Sequence, residues 1–144
     1  MMKQLFLLFF VAFAMTACSN KLTEKVEAQY ESGKPQRVSF YDRHGSCVKE
    51  TEYYENGQVK MEGEILDGKR EGAWTAYFED GRVQSKGIFH EGLRTGAATV
   101  YQPNGNLYME GEYKDGKHCG KWKFYDEQGN LLREDDYGEG VEAQ

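Results

Sequence analysis

A shift of 24 residues lays this sequence on itself. Gly57, Gly81, Gly105 and Gly129 then coincide, as do Gly68, Gly92 and Gly116, then Gly72, Gly96 and Gly120, then Gly63, Gly87 and Gly111. A fixed period of this size means stacked supersecondary units, each too small to bury its apolar face alone. The chain must therefore fold as a row of like units, and the chemistry of one unit sets the chemistry of all.

Within a unit the residues specify a hairpin. Glu55-Asn56-Gly57, Glu79-Asp80-Gly81, Pro103-Asn104-Gly105 and Glu127-Gln128-Gly129 each end in Gly, which accepts the positive φ of tight turns. The flanking runs have period 2: Val59, Met61, Gly63 and Ile65 alternate with Lys60, Glu62 and Glu64, and Leu107, Met109, Gly111 and Tyr113 alternate with Glu110 and Glu112. Such runs are half-buried antiparallel strands. Ten strands are expected, near 26–30, 36–41, 47–54, 58–65, 73–78, 82–89, 97–102, 106–113, 121–125 and 130–137. The fold class is all-β: an elongated, twisted antiparallel meander of β-hairpins in a single sheet, with no helix after the first residues. The unit from Tyr30 to Asp42 is shortened, with Pro35-Gln36-Arg37 in place of the four residues His118 to Lys121, as a cap would be. Pro35 is expected at an edge, where fewer ladder donors are needed.

The N-terminus is different in kind. An apolar run, Leu5 to Ala14, follows Lys3 and leads into Met15-Thr16-Ala17-Cys18. The run is too short to span a bilayer and has the anatomy of a secretory signal. Met15-Thr16-Ala17-Cys18 resembles a bacterial lipobox, with Met in place of the usual Leu at its first position. That resemblance implies cleavage before Cys18, lipid on Cys18, and a membrane-anchored protein of the cell envelope, at the outer rather than the inner membrane because Ser19 follows the cysteine. An ordinary secretory signal cut after Ala17 is the alternative. The expected organisation is a signal peptide at 1–17, a tether at 18–27, the repeat domain at 28–137 and a flexible acidic tail at 138–144.

Charge and cysteine usage narrow the function. With 24 Asp and Glu against 18 Lys and Arg the net charge is −6, and the cations are scattered among carboxylates. Binding to a phosphate backbone needs a basic patch, so nucleic acid is not an expected partner. Cys47 and Cys119 lie five to six strands apart, on the order of 25 Å at the usual strand spacing, far beyond disulfide reach. Two free thiols are expected. His44 with Cys47, and His118 with Cys119, are two-residue clusters, and zinc needs three or four ligands. No metal or other cofactor is expected.

Catalytic constellations are also missing. Glu62, Glu110 and Glu134 share one column, and Glu64, Glu112 and Asp136 another. Repetition in every unit describes a solvated sheet face, whereas an acid and base pair needs unequal environments. The chain is not expected to be an enzyme. Its candidate binding residues are aromatic: Trp74 and Trp122 at equivalent positions, and Tyr77, Tyr101 and Tyr125 in a column of opposite parity. The tyrosines can be packing, or a stripe of anchors of the kind favoured at interfaces and on sugars. The glycines Gly63, Gly87 and Gly111 form a column in which a missing side chain leaves room for a large neighbour such as Trp74 or Trp122 to lie across the strand.

Gly68-x-x-x-Gly72 followed by Asp80-Gly81, with strands of the form Met61-Glu62-Gly63-Glu64-Ile65, Ser85-Lys86-Gly87-Ile88-Phe89 and Met109-Glu110-Gly111-Glu112-Tyr113, resembles MORN repeats. The period of 24 and the placement of Trp74 and Trp122 are similar to the bacterial variant repeat of the YwqK-type antitoxin family. The resemblance runs from about Tyr30 to Tyr137. It implies a non-enzymatic repeat scaffold that binds a protein partner in the envelope. The alternatives are an antitoxin or immunity protein that neutralises a toxin, and a glycan-binding module built on the aromatic residues. Neither the partner nor the oligomeric state is specified by the sequence.

Overall fold

A computed structural model describes residues 21–140. The signal segment, Cys18 and the last four residues lie outside the described residues. Ten strands follow one another: β1 (Thr23–Gln29), β2 (Pro35–Tyr41), β3 (Cys47–Tyr53), β4 (Val59–Leu66), β5 (Lys69–Tyr77), β6 (Val83–His90), β7 (Leu93–Tyr101), β8 (Leu107–Lys114), β9 (Lys117–Tyr125) and β10 (Leu131–Asp136). Strand order in the single open sheet is chain order, every pairing is antiparallel, and the described residues hold no helix.

Two kinds of turn alternate along most of the meander. Asp67-Gly68, Glu91-Gly92 and Asp115-Gly116 have positive φ at both residues, the geometry of the two-residue turn whose twist matches that of the flanking strands. The longer turns close through paired backbone bonds, as in Tyr54 N–H to Gln58 O (2.8 Å) and Gly57 N–H to Tyr54 O (2.9 Å). Their side chains add a second link. Asn56, Asp80 and Asn104 each accept from the backbone N–H two residues on, and Asn56 and Asn104 donate to the carbonyls of Glu79 and Glu127 in the next long turn (3.0 and 2.9 Å). The Tyr30 and Tyr54 hydroxyls donate in the same way to Tyr53 O and Tyr77 O at 2.7 and 2.8 Å. The turns at 30–34, 54–58 and 102–106 are thus each tied to the following long turn at the same end of the sheet, independently of the strand ladder.

The sheet departs from the expected boundaries in four places. β5, β7 and β9 begin at Lys69, Leu93 and Lys117, four residues early, because the two-residue turns let both arms pair at once. The price of that early pairing is a register shift, as between Gly63 and Glu64 opposite β5, and Gly72, Gly96 and Gly120 take positive φ there. β1 begins at Thr23, so part of the expected tether belongs to the sheet; Glu27 accepts from the Tyr41 hydroxyl on β2 at 2.8 Å. Pro35 is not on an edge strand. It opens β2 opposite Gln29, and the β2 to β3 ladder starts only at Arg37, so its missing N–H breaks no pairing there. Gly138 to Gly140 are held as well: Gly120 N–H donates to Gly138 O at 2.8 Å and Tyr137 N–H to Gly120 O at 2.9 Å, so the tail is not free from its first residue.

A single sheet has little interior, and the buried apolar residues are Val38, Trp74, Phe89, Ala98 and Trp122. Trp74 and Trp122 are 3% and 1% exposed. Each lies over a glycine of the preceding strand: a Cβ on Gly63 would stand 2.4 Å from the Trp74 ring, and one on Gly111 2.3 Å from the Trp122 ring. The indole N–H groups complete the fit by donating to Glu64 O (3.0 Å) and Glu112 O (3.1 Å).

Candidate functional site

Neighbouring residues of a strand point to opposite faces, so the register sorts the candidate binding residues into two groups. Trp74 pairs with Gly63 and Gly87, while Thr75 pairs with Glu62 and Lys86. Tyr77 reaches Glu62 with its hydroxyl and therefore belongs to the Thr75 face. Tyr125 does the same with Glu110. The tryptophans and the tyrosines are thus on opposite faces, and no single stripe contains both. Trp74 and Trp122 are buried packing groups, which corrects their assignment as binding residues: the glycine beneath each lets the ring sink into the sheet.

The tryptophan face carries a stripe that the sequence did not reveal. Arg70, Arg94 and His118 occupy equivalent positions on β5, β7 and β9, and Phe89, Tyr113 and Tyr137 stand between and beyond them. The Arg70 guanidinium lies 4.2 Å from the Trp74 ring centre and 5.6 Å from that of Phe89. Arg94 lies over Phe89 at 5.2 Å and Tyr113 at 5.4 Å. The His118 ring meets Tyr113, Trp122 and Tyr137 at centre distances of 4.9, 4.2 and 5.0 Å. Cation over ring is a favourable arrangement, worth about 0.5–1 kcal/mol at exposed sites. Burial holds the His118 pKa below the usual histidine value. At the same end of the sheet but outside this stripe, His90 is raised by its hydrogen bond to Glu71 (2.9 Å).

The tyrosine face is polar and repeats a clamp. Glu62 is held between the Tyr77 hydroxyl (3.2 Å) and Lys49 Nζ (2.6 Å). Glu27 is held likewise between the Tyr41 hydroxyl (2.8 Å) and Lys25 Nζ (3.1 Å). Tyr125 donates to Glu110 at 2.7 Å, and Lys121 pairs with Glu134 at 2.8 Å. The phenol pKa values move as these contacts require: Tyr125 and Tyr41 are raised chiefly by donating to their carboxylates, and Tyr77 by burial together with Glu62. An open cleft of about 670 Å³ runs over this face, lined among others by Ala97, Thr99, Glu110, Lys121, Lys123 and Glu134. A second, of about 340 Å³, is lined by Arg82, Val83, Lys86, Tyr101 and Gly105.

Of the three candidate tyrosines only Tyr101 lacks a carboxylate. The residue that corresponds to Glu62 and Glu110 in its unit is Lys86, which the sequence reading passed over by following the carboxylates alone. The signal was present as a break in a 24-residue column. Of the other candidates, the glycines at 63 and 111 hold the predicted role, whereas a Cβ on Gly87 would meet Arg94 Nη1 at 3.0 Å and no tryptophan. Cys47 and Cys119 are free thiols. Cys18, the expected lipid attachment site, lies outside the described residues.

A family model described as MORN repeat variant matches residues 47–67, 70–91, 94–115 and 119–138, more than half of the chain. Each matched segment spans one long turn, closed by Gly57, Gly81, Gly105 or Gly129, and the strand that follows it. A comparison with curated proteins found no match.

Proposed function

Because the chain belongs to the MORN repeat variant family, we propose that it is a non-enzymatic repeat scaffold, anchored by lipid on Cys18, that presents the polar tyrosine face to a protein partner in the cell envelope. The observation that carries this reading is the form of that face: wide, open clefts over a ladder of half-buried tyrosines, carboxylates and lysines repeated from unit to unit. Catalysis needs one uniquely perturbed group among its neighbours. A surface of repeated, mutually satisfied groups suits a long contact with another macromolecule, with hydrogen bonds spread along it.

Glycan binding through the aromatic residues draws less support. Stacking on sugar rings needs exposed ring faces, and the two indoles have none to offer. An antitoxin or immunity role remains a special case of the protein-binding reading, favoured by the similarity to the YwqK-type family and by a leader that would carry the protein to the envelope. The test is affinity capture from envelope extract with the full chain, beside sedimentation with peptidoglycan and other polysaccharides. Recovery of a defined protein partner is the expected result. Sedimentation with glycan that Tyr101→Ala abolishes, with no protein recovered, would overturn the reading. For the anchor, Cys18→Ala is expected to release the protein from membranes; retention would refute lipidation at Cys18.

A further inference from the structure

The tyrosine face twice builds the same clamp for a carboxylate, and in one unit a lysine stands in the carboxylate's place beside a tyrosine unpartnered among the described residues. In Tyr77–Glu62–Lys49 and Tyr41–Glu27–Lys25 a phenol hydroxyl and an ammonium group close on one carboxylate of the chain. In the unit before Tyr125 the tyrosine is Tyr101, and Lys86 stands at the position that Glu62 and Glu110 hold in the neighbouring units. Both line the cleft of about 340 Å³. Lys86 is exposed, Tyr101 is half-buried, and among the described residues neither the Lys86 ammonium nor the Tyr101 hydroxyl has a hydrogen-bond or ion-pair partner. For Tyr53, the remaining member of the tyrosine column, the corresponding position is Val38, which is neither acid nor cation.

We propose that Lys86 and the Tyr101 hydroxyl form a binding site for a carboxylate group supplied by a ligand. Because Lys86 itself stands where Glu62 stands relative to Tyr77, the incoming carboxylate lies in the cleft that both residues line, between the Lys86 ammonium and the Tyr101 hydroxyl. It accepts a hydrogen bond from the phenol and a charge-assisted one from the ammonium, the stronger class of hydrogen bond. Thr75 and Thr99, paired with Lys86 on either side, leave the approach free of carboxylates on the adjoining strands. The nearest acids of the same column, Glu62 and Glu110, lie two strands away and are already engaged by tyrosines. Arg82 at the rim is paired with Asp80 and only shapes the entrance. The site suits a single negative charge: a doubly charged phosphate would meet one cation and the field of those two flanking acids.

The repeat supplies a variant that separates binding from folding. Lys86→Glu restores the residue found at Glu62 and Glu110, gives Tyr101 an internal partner, and is expected to leave the melting temperature unchanged or higher. The full chain, labelled for NMR and held in detergent micelles, would be titrated with a blocked Thr-Glu-Thr tripeptide, its Thr-Gln-Thr counterpart and D-glucuronate. The glutamyl peptide is expected to move the Lys86 side-chain and Tyr101 ring signals saturably, with affinity lowered about tenfold or more in Lys86→Glu and lowered also by about 0.5 M salt. The glutaminyl peptide should leave them in place. Glucuronate acting on the same signals, with the same dependence on Lys86, would support the site and assign a sugar acid as a source. Equal effects of the glutamyl and glutaminyl peptides with none from glucuronate would overturn the proposal, as would unchanged affinity in a folded Lys86→Glu variant.

Discussion

The units of Trp74 and Trp122 and the unit between them solve the same packing problem with different atoms. In the outer two, an indole fills the space over Gly63 or Gly111 and donates its N–H to the strand it covers. In the middle one the equivalent residue is Ala98, and the space over Gly87 is reached by the Arg94 guanidinium, whose Nη1 would stand 3.0 Å from a Cβ placed there. Ala98 is nevertheless only 5% exposed. A rigid ring and a mobile cation therefore give similar burial on the same backbone. What differs is how each can respond: the ring must keep its place in the sheet, whereas the guanidinium can swing into solvent. A repeat fold keeps its geometry through the backbone ladder and leaves the filling of each unit open to change.

The largest effects should come from breaking the rigid units. Trp122→Ala removes the most buried side chain and its hydrogen bond to Glu112 O, and is expected to lower stability by about 4 kcal/mol in denaturant unfolding. Gly111→Val should cost about 3 kcal/mol, since even its Cβ would enter the ring; the effect is purely steric, because Gly111 has no positive φ. Combining the two should recover part of the loss, and strict additivity would show that the glycine and the ring are not coupled.

Smaller effects belong to the middle unit. The glycine column taken alone predicts that Gly87→Val loses about 1–3 kcal/mol. With the end of a flexible arginine as the only close neighbour, about 1 kcal/mol is now the expected loss, and a cost equal to that of Gly111→Val would break the comparison. Ala98→Trp, which copies the outer units, should change stability by less than about 1 kcal/mol, with Arg94 displaced from Gly87. A crystal structure of that variant with Arg94 unmoved would show that the middle unit has a packing of its own.

Much of this architecture was legible in the chain because period and local chemistry agree. The glycine columns, the turn residues and the alternation of Met61-Glu62-Gly63-Glu64 each specify the same hairpin, so ten strands and their order follow. The glycine under each tryptophan was legible too, since Gly63 and Trp74 recur together as Gly111 and Trp122. The extra residues at the start of β5, β7 and β9 were not, because Gly72, Gly96 and Gly120 read equally as turn or bulge until the partner strand is known. That Trp74 and Tyr77 lie on opposite faces was legible from their parity, but only the register shows that the tyrosine turns to Glu62. The Arg70, Arg94 and His118 column escaped notice because Arg and His differ in size and charge, and only the rings beside them give the three a common role.

That column gives the last and smallest test, for it sets two permanent cations against a titratable one. Burial lowers the His118 pKa, so in the folded protein the imidazole stays neutral at a pH where the unfolded chain already takes up a proton. The sign follows: the unfolded state binds more protons below the ordinary histidine pKa of about 6.5, and stability should fall as pH drops from there toward the lower folded value. His90 works the other way. Its pKa is raised by Glu71, so its contribution is present at low pH and is lost as pH rises through the folded value. Its ring is well exposed, with 70% of the side-chain surface open, and solvent weakens that contribution. Denaturant midpoints followed between about pH 5 and 8 should therefore decline on the acid side; His118→Gln should flatten the decline, whereas His90→Gln, which removes a weak opposing contribution, should steepen it slightly. The three aromatic rings around His118 favour a cation. If stability instead rose on acidification, and His118→Gln removed that rise, the rings would outweigh burial, and position 118 would act as a third member of the Arg70 and Arg94 series.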